Sequence, residues 1–537
     1  MFVVKYYCLI VLACFSAAFL IPNLAVSLVL GWIGLSVFLV VLAYLFDLPS
    51  IFMKSGDGKL TWWIRWAFIP FLAAVRLYNY CSRRNDKVAA IHQIAPHLYV
   101  SRRLLRSDLD ALHANNINCI VDVTAEFAGL ESAMTDKQFE YLSIPVLDHK
   151  APKYRQLRHA LNWIDTQISQ SRSVVVHCAL GRGRSVFVVA AYLLSQNPGQ
   201  SVEQVLQQIH SVRSSARLNR RQVRALQSMH QKGLLQLDEP AWLIANPVSG
   251  GGKWQAFGQR LIRELTRSYR LRLLFTEPDV SATALARQAL QHNPDLIIAA
   301  GGDGTVGEVA GEVDHSDTRL AIVPFGTANA LCHVLYGIGS KTAPIDKACE
   351  AILSGNTRQI DTAYCNQQLM LLVMGIGFEQ QMIEYAQREE KNQLGQLAYL
   401  TGFFNAVMAD NPIELTCRLD DEAPQSLQVR SFVVANTAPF TTLLAQGNGE
   451  PEPGDGLLHI TYLEQADSVA ERLLALSDIT LASVGFQDKS ELFSYASAQR
   501  VEISADKKMD YVVDGELYST DKLTIEIKPQ SLQVCVP

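Results

Sequence analysis

The sequence predicts a multidomain chain: apolar helices at the N-terminus, then two α/β modules, the second ending in a strand-rich region. Three observations carry this. Residues 6–46 are almost free of charge. The β-branched stretch Ser173–Val176 runs into His177-Cys178, a glycine turn and an apolar helical stretch. Between residues 241 and 329, three apolar strand-like stretches each end in a turn containing glycine. At 537 residues the chain exceeds what one core organises and fits about two to four domains.

Composition narrows the class. Hydrophobic residues make up 49% and mean hydropathy is +0.10, with the excess concentrated before residue 80. Net charge is −5, which gives no basic footprint for nucleic acid. The 10 cysteines are scattered without a CxxC pair, the pattern of reduced thiols in a cytoplasmic protein.

Residues 1–85 read as a membrane anchor. Pro22-Asn23 divides the uncharged run into two helices, about 6–21 and 24–46. The second reaches the ~20 apolar residues that span a bilayer, and the pair is expected as a two-helix hairpin. Residues 61–80 mix Trp62, Trp63, Trp66, Phe68 and Phe71 with Arg65 and Arg76. That mixture suits the headgroup layer; a third spanning helix is the rival, at the cost of two buried arginines. Arg76, Arg83, Arg84, Lys87, Arg102, Arg103 and Arg106 follow. This positive flank favours the cytoplasmic side and suits either anionic lipid or a solvated linker.

Residues 90–236 hold the first chemical site. The strands Asn118–Val123 and Ser173–Val176 flank it, and Cys178 sits on a strand–loop–helix turn. Backbone N–H groups from Ala179 to Ser185, with the helix N-terminus behind them, can cradle an anion and favour a thiolate. Arg184 can fork onto two phosphate oxygens. Together these parts read as phosphate removal through a phosphocysteine. Asp148, in Ile144–Pro152, is the candidate general acid, and Ser185 can hydrogen-bond the departing thiolate. No metal or cofactor is required. With the His before Cys178, the glycines inside the loop and Arg217-Leu218-Asn219 later, the segment 94–232 resembles the dual-specificity branch of the cysteine phosphatases. Arg182 adds a cation inside the loop, which tilts the expected substrate toward a lipid phosphate.

Residues 238–537 hold the second. The strand Ala241–Ala245 ends in Asn246–Lys253, which is not a Walker loop: Pro247 takes its first glycine position and Trp254 stands where Ser or Thr should follow Lys253. The strand Asp295–Ala300 runs into Gly301-Gly302-Asp303-Gly304-Thr305. Gly302, Gly304 and Gly307 satisfy GxGxxG, but the strand Leu320–Val323 ends in Pro324 rather than the acidic residue of a dinucleotide site. Pro324–Asn329 supplies the third turn. Three glycine turns at one edge of a parallel sheet suit a nucleotide, and together they resemble the diacylglycerol kinase catalytic family.

That resemblance implies a nucleotide-binding part, 238–365, and a mostly β-sandwich part, 366–537. The stretches Leu457–Leu463, Val501–Ser504, Tyr511–Val513 and Leu523–Lys528 carry the expected strand patterns, and Gln393–Val407 looks like the family's mid-domain helix. It further implies nucleotide contacts at Asn246, Ser249, Gly250, Gly301, Gly302, Gly304, Thr305, Gly326, Thr327 and Asn329. Asp303 matches the residue tied to Mg²⁺–ATP and catalysis, Glu516 the base for the lipid hydroxyl, and Asp455 a structural Mg²⁺ site. Taken alone, Asp303 fits a turn between glycines and Glu516 a solvated hairpin charge. Phe378-Glu379 departs from the family pattern and puts the lipid pocket's shape in question.

The expected whole is an N-terminal transmembrane segment, an α/β cysteine-phosphatase domain, and an α/β nucleotide-binding domain plus β-sandwich of the lipid kinase type. It would act as a bifunctional, multi-pass inner-membrane enzyme with cytoplasmic catalytic domains, using ATP and Mg²⁺ on a lipid and removing phosphate elsewhere. The rival reading is a protein phosphatase with a nucleotide- or lipid-sensing module.

Overall fold

The computed structural model describes residues 2–55, 58–84, 86, 88–129, 139–337, 339–377, 412–438, 452–464 and 493–537. Lys87, Phe378-Glu379 and the expected helix at 393–407 lie outside the described residues. The chain divides into two compact units, Met1–Pro240 with Ile262–Arg272, and Ala241–Leu261 with Leu273–Pro537.

In the first unit, helices Phe2–Leu20 and Leu24–Phe46 are separated at Pro22-Asn23. Pro22 has no N–H to continue the first helix, and the Asn23 carboxamide caps the second by accepting from Ala25 N (3.1 Å) and Val26 N (3.2 Å). Among the described residues, Leu24–Phe46 is the one helix long and apolar enough to cross a membrane; the first falls short by length, so the expected multi-pass topology gains no support. Residues 61–80 do not form one continuous helix. They make two shorter helices, Trp62–Ala67 and Ile69–Arg84, parted at Phe68, because Pro70 cannot donate to Trp66. The basic flank is not a free linker either: Arg83 pairs with Asp108 at 3.3 Å and Arg103 lies 4.3 Å over the Phe127 ring.

A five-stranded sheet follows, built from β1 (Ile91–Ala95), β2 (Leu98–Ser101), β3 (Ile117–Asp122), β4 (Glu140–Ser143) and β5 (Ser173–His177), in the order β1-β2-β5-β3-β4. The β1–β2 pair is antiparallel and the rest parallel. Val174, Val175 and Val176 in the central strand are wholly buried, the reason that strand reads as an uninterrupted β-branched run. Its C-terminal end delivers Cys178 to the sheet edge where parallel α/β folds bind ligands.

In the second unit the strands β6 (Ala241–Ala245), β7 (Leu271–Phe275), β8 (Leu296–Gly301) and β9 (Arg319–Pro324) come first, and β6, β8 and β9 pair in parallel. Antiparallel strands follow: β10 (Thr357–Cys365), β11 (Gln368–Met370), β12 (Val373–Gly377), β13 (Ile413–Leu419), β14 (Gln425–Ala435), β15 (Leu458–Glu464), β16 (Phe493–Ala498), β17 (Arg500–Val513) and β18 (Glu516–Cys535). Among the described residues these thirteen strands share one hydrogen-bonded sheet, ordered β16-β15-β14-β12-β17-β18-β9-β8-β6-β7 with β10, β11 and β13 branching from it. The join is the parallel contact of Val534 in β18 with Leu320 in β9. Two stretches expected as separate strands, Val501–Ser504 and Tyr511–Val513, lie on the single strand β17. Its register against β18 shifts between Ser504 and Met509, a bulge that the intervening charges Asp506, Lys507 and Lys508 disguise in sequence as a break.

Two candidate active sites

The first site is the turn between β5 and the helix Arg184–Gln196. Cys178 is buried, and the Ser185 hydroxyl donates to its Sγ at 3.4 Å. Gly181 adopts φ +66°, and a Cβ there would stand 2.7 Å from Arg102 N and from the Ser101 carbonyl carbon, so the close approach of two backbones requires glycine. Arg213, wholly buried, holds the turn from behind. Its Nε donates to Gly181 O at 2.8 Å and its Nη1 to Ala89 O at 3.0 Å. Nothing in the motif announces Arg213, since its partners are the carbonyls of Leu180, Gly181 and Ala89 and the ring of the distant His92.

Arg184 is buried and aimed by three groups. Glu126 takes it in a two-pronged pair at 2.8 and 2.7 Å, Val146 O accepts at 2.8 Å, and Asp148 Oδ1 lies 3.2 Å away. Burial opposes the Arg184 charge, yet Glu126 and Asp148 raise its pKa well above the ordinary value. Asp148 shows the counterpart: burial pushes its carboxyl up, but the Arg184 guanidinium holds it below the usual range. The Asp148 loop is anchored by the helix Arg220–Gln231, whose Asn219 cap donates to His149 O (3.0 Å) and whose Gln222 donates to Lys150 O (2.9 Å). Thus Cys178, Arg184, Ser185 and Asp148 come together, and Glu126 joins them unannounced. Arg182 is instead half-exposed and paired with Asp86 at 3.1 Å.

Beneath Cys178 lies a buried charge pair. Lys54 Nζ donates to Asp122 Oδ2 at 2.5 Å and to Thr124 O at 2.8 Å, and His177 Nε2 stands 3.9 Å from Asp122. Burial pushes Asp122 up, but the Lys54 ammonium holds it far below the usual range. Burial pushes His177 down.

The second site is the meeting of three glycine turns. Gly250, Gly251 and Gly252 all take positive φ (56°, 74° and 84°) after β6. A Cβ on Gly250 would lie 2.0 Å from Phe325 O, and one on Gly326 would lie 2.4 Å from Gly302 Cα. The β8 and β9 turns therefore touch backbone to backbone. Lys253 Nζ donates to Gly326 O, Asn246 Nδ2 to Thr305 Oγ1 at 3.4 Å, and Ser249 Oγ borders Gly302. Gly301 is buried, whereas Gly304 and Thr327 are exposed.

Asp303 is half-buried at the start of the helix Asp303–Val313, where the backbone N–H groups of Ala330, Asn329 and Leu331 address its carboxylate. Burial raises its pKa and those N–H groups oppose the rise. Asp514, which sequence reasoning passed over for its neighbour Glu516, accepts from Leu371 N, Leu372 N and Val373 N at 2.6, 3.0 and 2.9 Å. Burial lifts its pKa to about 6, and the Asp303 charge adds to the lift. Glu516 is exposed at the start of β18 and accepts from the Tyr518 hydroxyl at 2.8 Å. Asp455 precedes β15, where it accepts from Leu457 N at 2.9 Å and meets His459 Nε2 at 2.9 Å.

Backbone turns bordered by the Lys253 ammonium suit a phosphate, and the buried Asn329 Oδ1 has no hydrogen-bond partner among the described residues. That acceptor suits a hydroxyl or a metal-bound water. Among the described residues no group of three or more His, Cys, Asp or Glu could hold a metal ion.

Two family models match the chain: the dual specificity phosphatase catalytic domain over residues 98–232 and the diacylglycerol kinase catalytic domain over residues 240–365. An uncharacterized protein of Synechocystis sp. is 31% identical over 315 residues, covering 57% of this chain and 72% of the relative. A diacylglycerol kinase of Bacillus subtilis is 28% identical over 288 residues, covering 51% and 89%. A crystal structure of a diacylglycerol kinase from Bacillus anthracis matches at 19% identity and a TM-score of 0.42, covering 56% and 97%.

Proposed function

We propose, for a chain that belongs to the dual specificity phosphatases through residues 98–232 and to the diacylglycerol kinases through residues 240–365, a membrane-anchored enzyme that edits lipid phosphate with both sites live. One observation carries the reading. Each phosphate-handling loop keeps its full set of chemical groups, Cys178 with Ser185, Arg184 and Asp148 at one, the glycine cradle with Asp303 at the other. A module that only senses or scaffolds has no use for a buried thiol with a serine donor, on a loop whose arginine is held by Glu126.

At the first site Cys178 Sγ attacks phosphorus. The S–P bond forms as the P–O bond to the leaving group breaks, and Asp148 passes its proton to the departing oxygen. Water then cleaves the S–P bond, giving its proton to Asp148 and releasing inorganic phosphate, while Ser185 hydrogen-bonds the freed thiolate. Arg184 forks onto the phosphate oxygens throughout.

At the second site, bound ATP with Mg²⁺ supplies the phosphoryl group and spreads its charge. The turns holding Asn246, Ser249, Gly250, Gly301, Gly302, Gly304, Thr305, Gly326, Thr327 and Asn329 position the nucleotide, and Asp303 would hold the Mg²⁺ that accompanies its phosphates. Glu516, exposed on the hairpin beyond Asp514, takes the proton from the lipid hydroxyl. The helix Leu24–Phe46 brings the chain to the membrane, where the diacylglycerol-type substrate resides.

The test uses detergent-solubilised protein, γ-labelled ATP, Mg²⁺ and a panel of diacylglycerol, sphingosine, ceramide and phosphatidylglycerol. Cys178→Ser is run in parallel so that no product is lost to the phosphatase. Label in one lipid, abolished by Asp303→Ala, establishes the kinase. ATP binding without label in any lipid favours a protein phosphatase with a nucleotide-sensing module.

A further inference from the structure

The first unit holds a second concavity, apart from the Cys178 loop. It is an open groove of about 370 Å³, walled by Leu39, Leu48, Ile51, Met53, Trp63 and Phe68. Ser50 is the one polar residue lining it. The volume lies in the range of small-molecule pockets, about 300–1,000 Å³, and apart from Ser50 and the Trp63 indole N–H the lining side chains are hydrocarbon or thioether.

Three ties connect this wall to the phosphatase loops. Leu48 follows Asp47, whose carboxylate meets Lys150 at 3.6 Å and whose backbone carbonyl accepts from Lys153 at 3.0 Å; Lys150 stands two residues after Asp148. Met53 precedes Lys54, which reaches Asp122 and Thr124 beneath His177. Phe68 belongs to the core cluster that contains Phe52, Phe71, Ala125 and Leu147, and the last two immediately precede Glu126 and Asp148. A fourth tie runs from the adjacent helix: Asn79 Nδ2 donates to Ala179 O, inside the phosphate loop, at 2.9 Å.

The rim points to the occupant. Leu45, Phe46, Leu48, Met53, Trp62, Trp63 and Trp66 are exposed, and they continue the apolar surface of the helix long enough to cross a membrane. Tryptophans at such a boundary favour the headgroup layer. The hydrocarbon that a groove at such a boundary meets is a lipid acyl chain.

Resting on the phosphatase reading of the Cys178 loop, we propose that this cavity holds an acyl chain of the phosphatase's own substrate, a lipid phosphomonoester whose phosphate reaches Cys178. The cavity selects for the chain and the loop for the phosphate. A phosphoprotein would leave the cavity unused.

The experiment compares four substrates on the full chain in detergent: p-nitrophenyl phosphate, dioleoyl phosphatidic acid, its dibutyryl counterpart, and dioleoyl phosphatidylglycerophosphate. For at least one dioleoyl lipid, kcat/KM should exceed that of dibutyryl phosphatidic acid by about tenfold or more, the usual scale of discrimination by an apolar pocket. Met53→Trp and, independently, Ile51→Trp fill the cavity. Each should erase that preference while hydrolysis of p-nitrophenyl phosphate, which reports folding and the Cys178 chemistry, stays within about twofold. Turnover of p-nitrophenyl phosphate without preference for any dioleoyl lipid overturns the proposal and leaves the phosphatase standing. So does a preference that survives both tryptophans. Absence of p-nitrophenyl phosphate hydrolysis in the wild type, or hydrolysis untouched by Cys178→Ser, removes the phosphatase reading itself and the proposal with it.

Discussion

Glu126 grips Arg184 with both carboxylate oxygens, at 2.8 and 2.7 Å. The guanidinium at the heart of the phosphate loop is thereby fixed in plane before any substrate arrives. A buried arginine without such a partner would carry a desolvation cost of several kcal/mol and drift from its aim. Glu126→Gln keeps the shape and removes the charge. It should lower kcat/KM for p-nitrophenyl phosphate by about 10–100-fold, since breaking a buried hydrogen-bonded ion pair costs roughly 2–5 kcal/mol, part of it in misplacement. Steady-state kinetics with near-ultraviolet circular dichroism separates loss of aim from loss of fold. Unchanged kinetics would show that Val146 O and Asp148 suffice to hold Arg184.

Asp148 stands 3.2 Å from the same guanidinium, and that charge overcomes burial to keep its carboxyl below the usual range. At neutral pH the resting site therefore carries a deprotonated Asp148. A bound phosphate dianion takes over the Arg184 charge, which relaxes the depression and lets Asp148 hold a proton for the leaving group. Asp148→Asn should reduce kcat by about 10²–10⁴-fold, more for phenyl phosphate than for p-nitrophenyl phosphate because the poorer leaving group depends more on the acid. The fall of kcat with rising pH should disappear in the variant. If both substrates lose equally and the wild-type limb persists, the acid lies elsewhere.

Lys54 and Asp122 are both wholly buried, so removing Lys54 leaves a buried carboxylate without its ammonium, held by the Tyr141 hydroxyl and by Thr124 N and Oγ1. Lys54→Met should destabilise the protein by about 3–5 kcal/mol at pH 7. The sign of the pH dependence is diagnostic. Asp122 has a depressed carboxyl in the folded state, so it contributes stability above the ordinary carboxylate range that is lost as pH falls through its folded value. Without Lys54 the folded carboxyl titrates upward, so acid relieves the stranded charge. Calorimetric melting at pH 7 and pH 4.5 should show the variant penalty shrinking on acidification. A penalty independent of pH would mean that the pair's packing matters and its charge does not.

The legible parts of this chain are those whose physics is local. The strand–turn–helix around Cys178 announces itself because a fully buried parallel strand must be apolar and an anion-binding turn must free its N–H groups; Gly181, with its positive φ, allows that. The glycine turns after β6, β8 and β9 are legible for the same reason. Glu126, Arg213, Lys54 and Asp514 were not. Each acts on a loop distant in sequence, up to 143 residues for Asp514 and Leu371, and an ordinary surface carboxylate or cation has the same letter. The pairing of Arg182 with Asp86 was equally invisible from the motif. The interrupted aromatic stretch at 61–80 was readable in principle, because Pro70 marks the break.

The glycine cradle gives the sharpest contrast between a glycine that backbone contact requires and one that it does not. A Cβ on Gly326 would sit 2.4 Å from Gly302 Cα, whereas one on Gly307, inside the helix Asp303–Val313, meets nothing within 4 Å. Gly326→Ala must push the β8 and β9 turns apart, which misplaces the N–H groups around Asp303 and Asn329. It should abolish the rise in Tm on adding ATP and cut lipid phosphorylation by at least about 10²-fold, the scale set by a displacement of about 1 Å at a positioned site. Gly307→Ala should leave both intact and stabilise the helix by about 0.5–1 kcal/mol, because alanine fixes the backbone at less entropic cost. Thermal shift with and without ATP reads both outcomes in one assay. If Gly326→Ala still shifts with ATP, the nucleotide does not lie between these turns, and the assignment of Asn246, Ser249 and Gly250 to its phosphates falls with it.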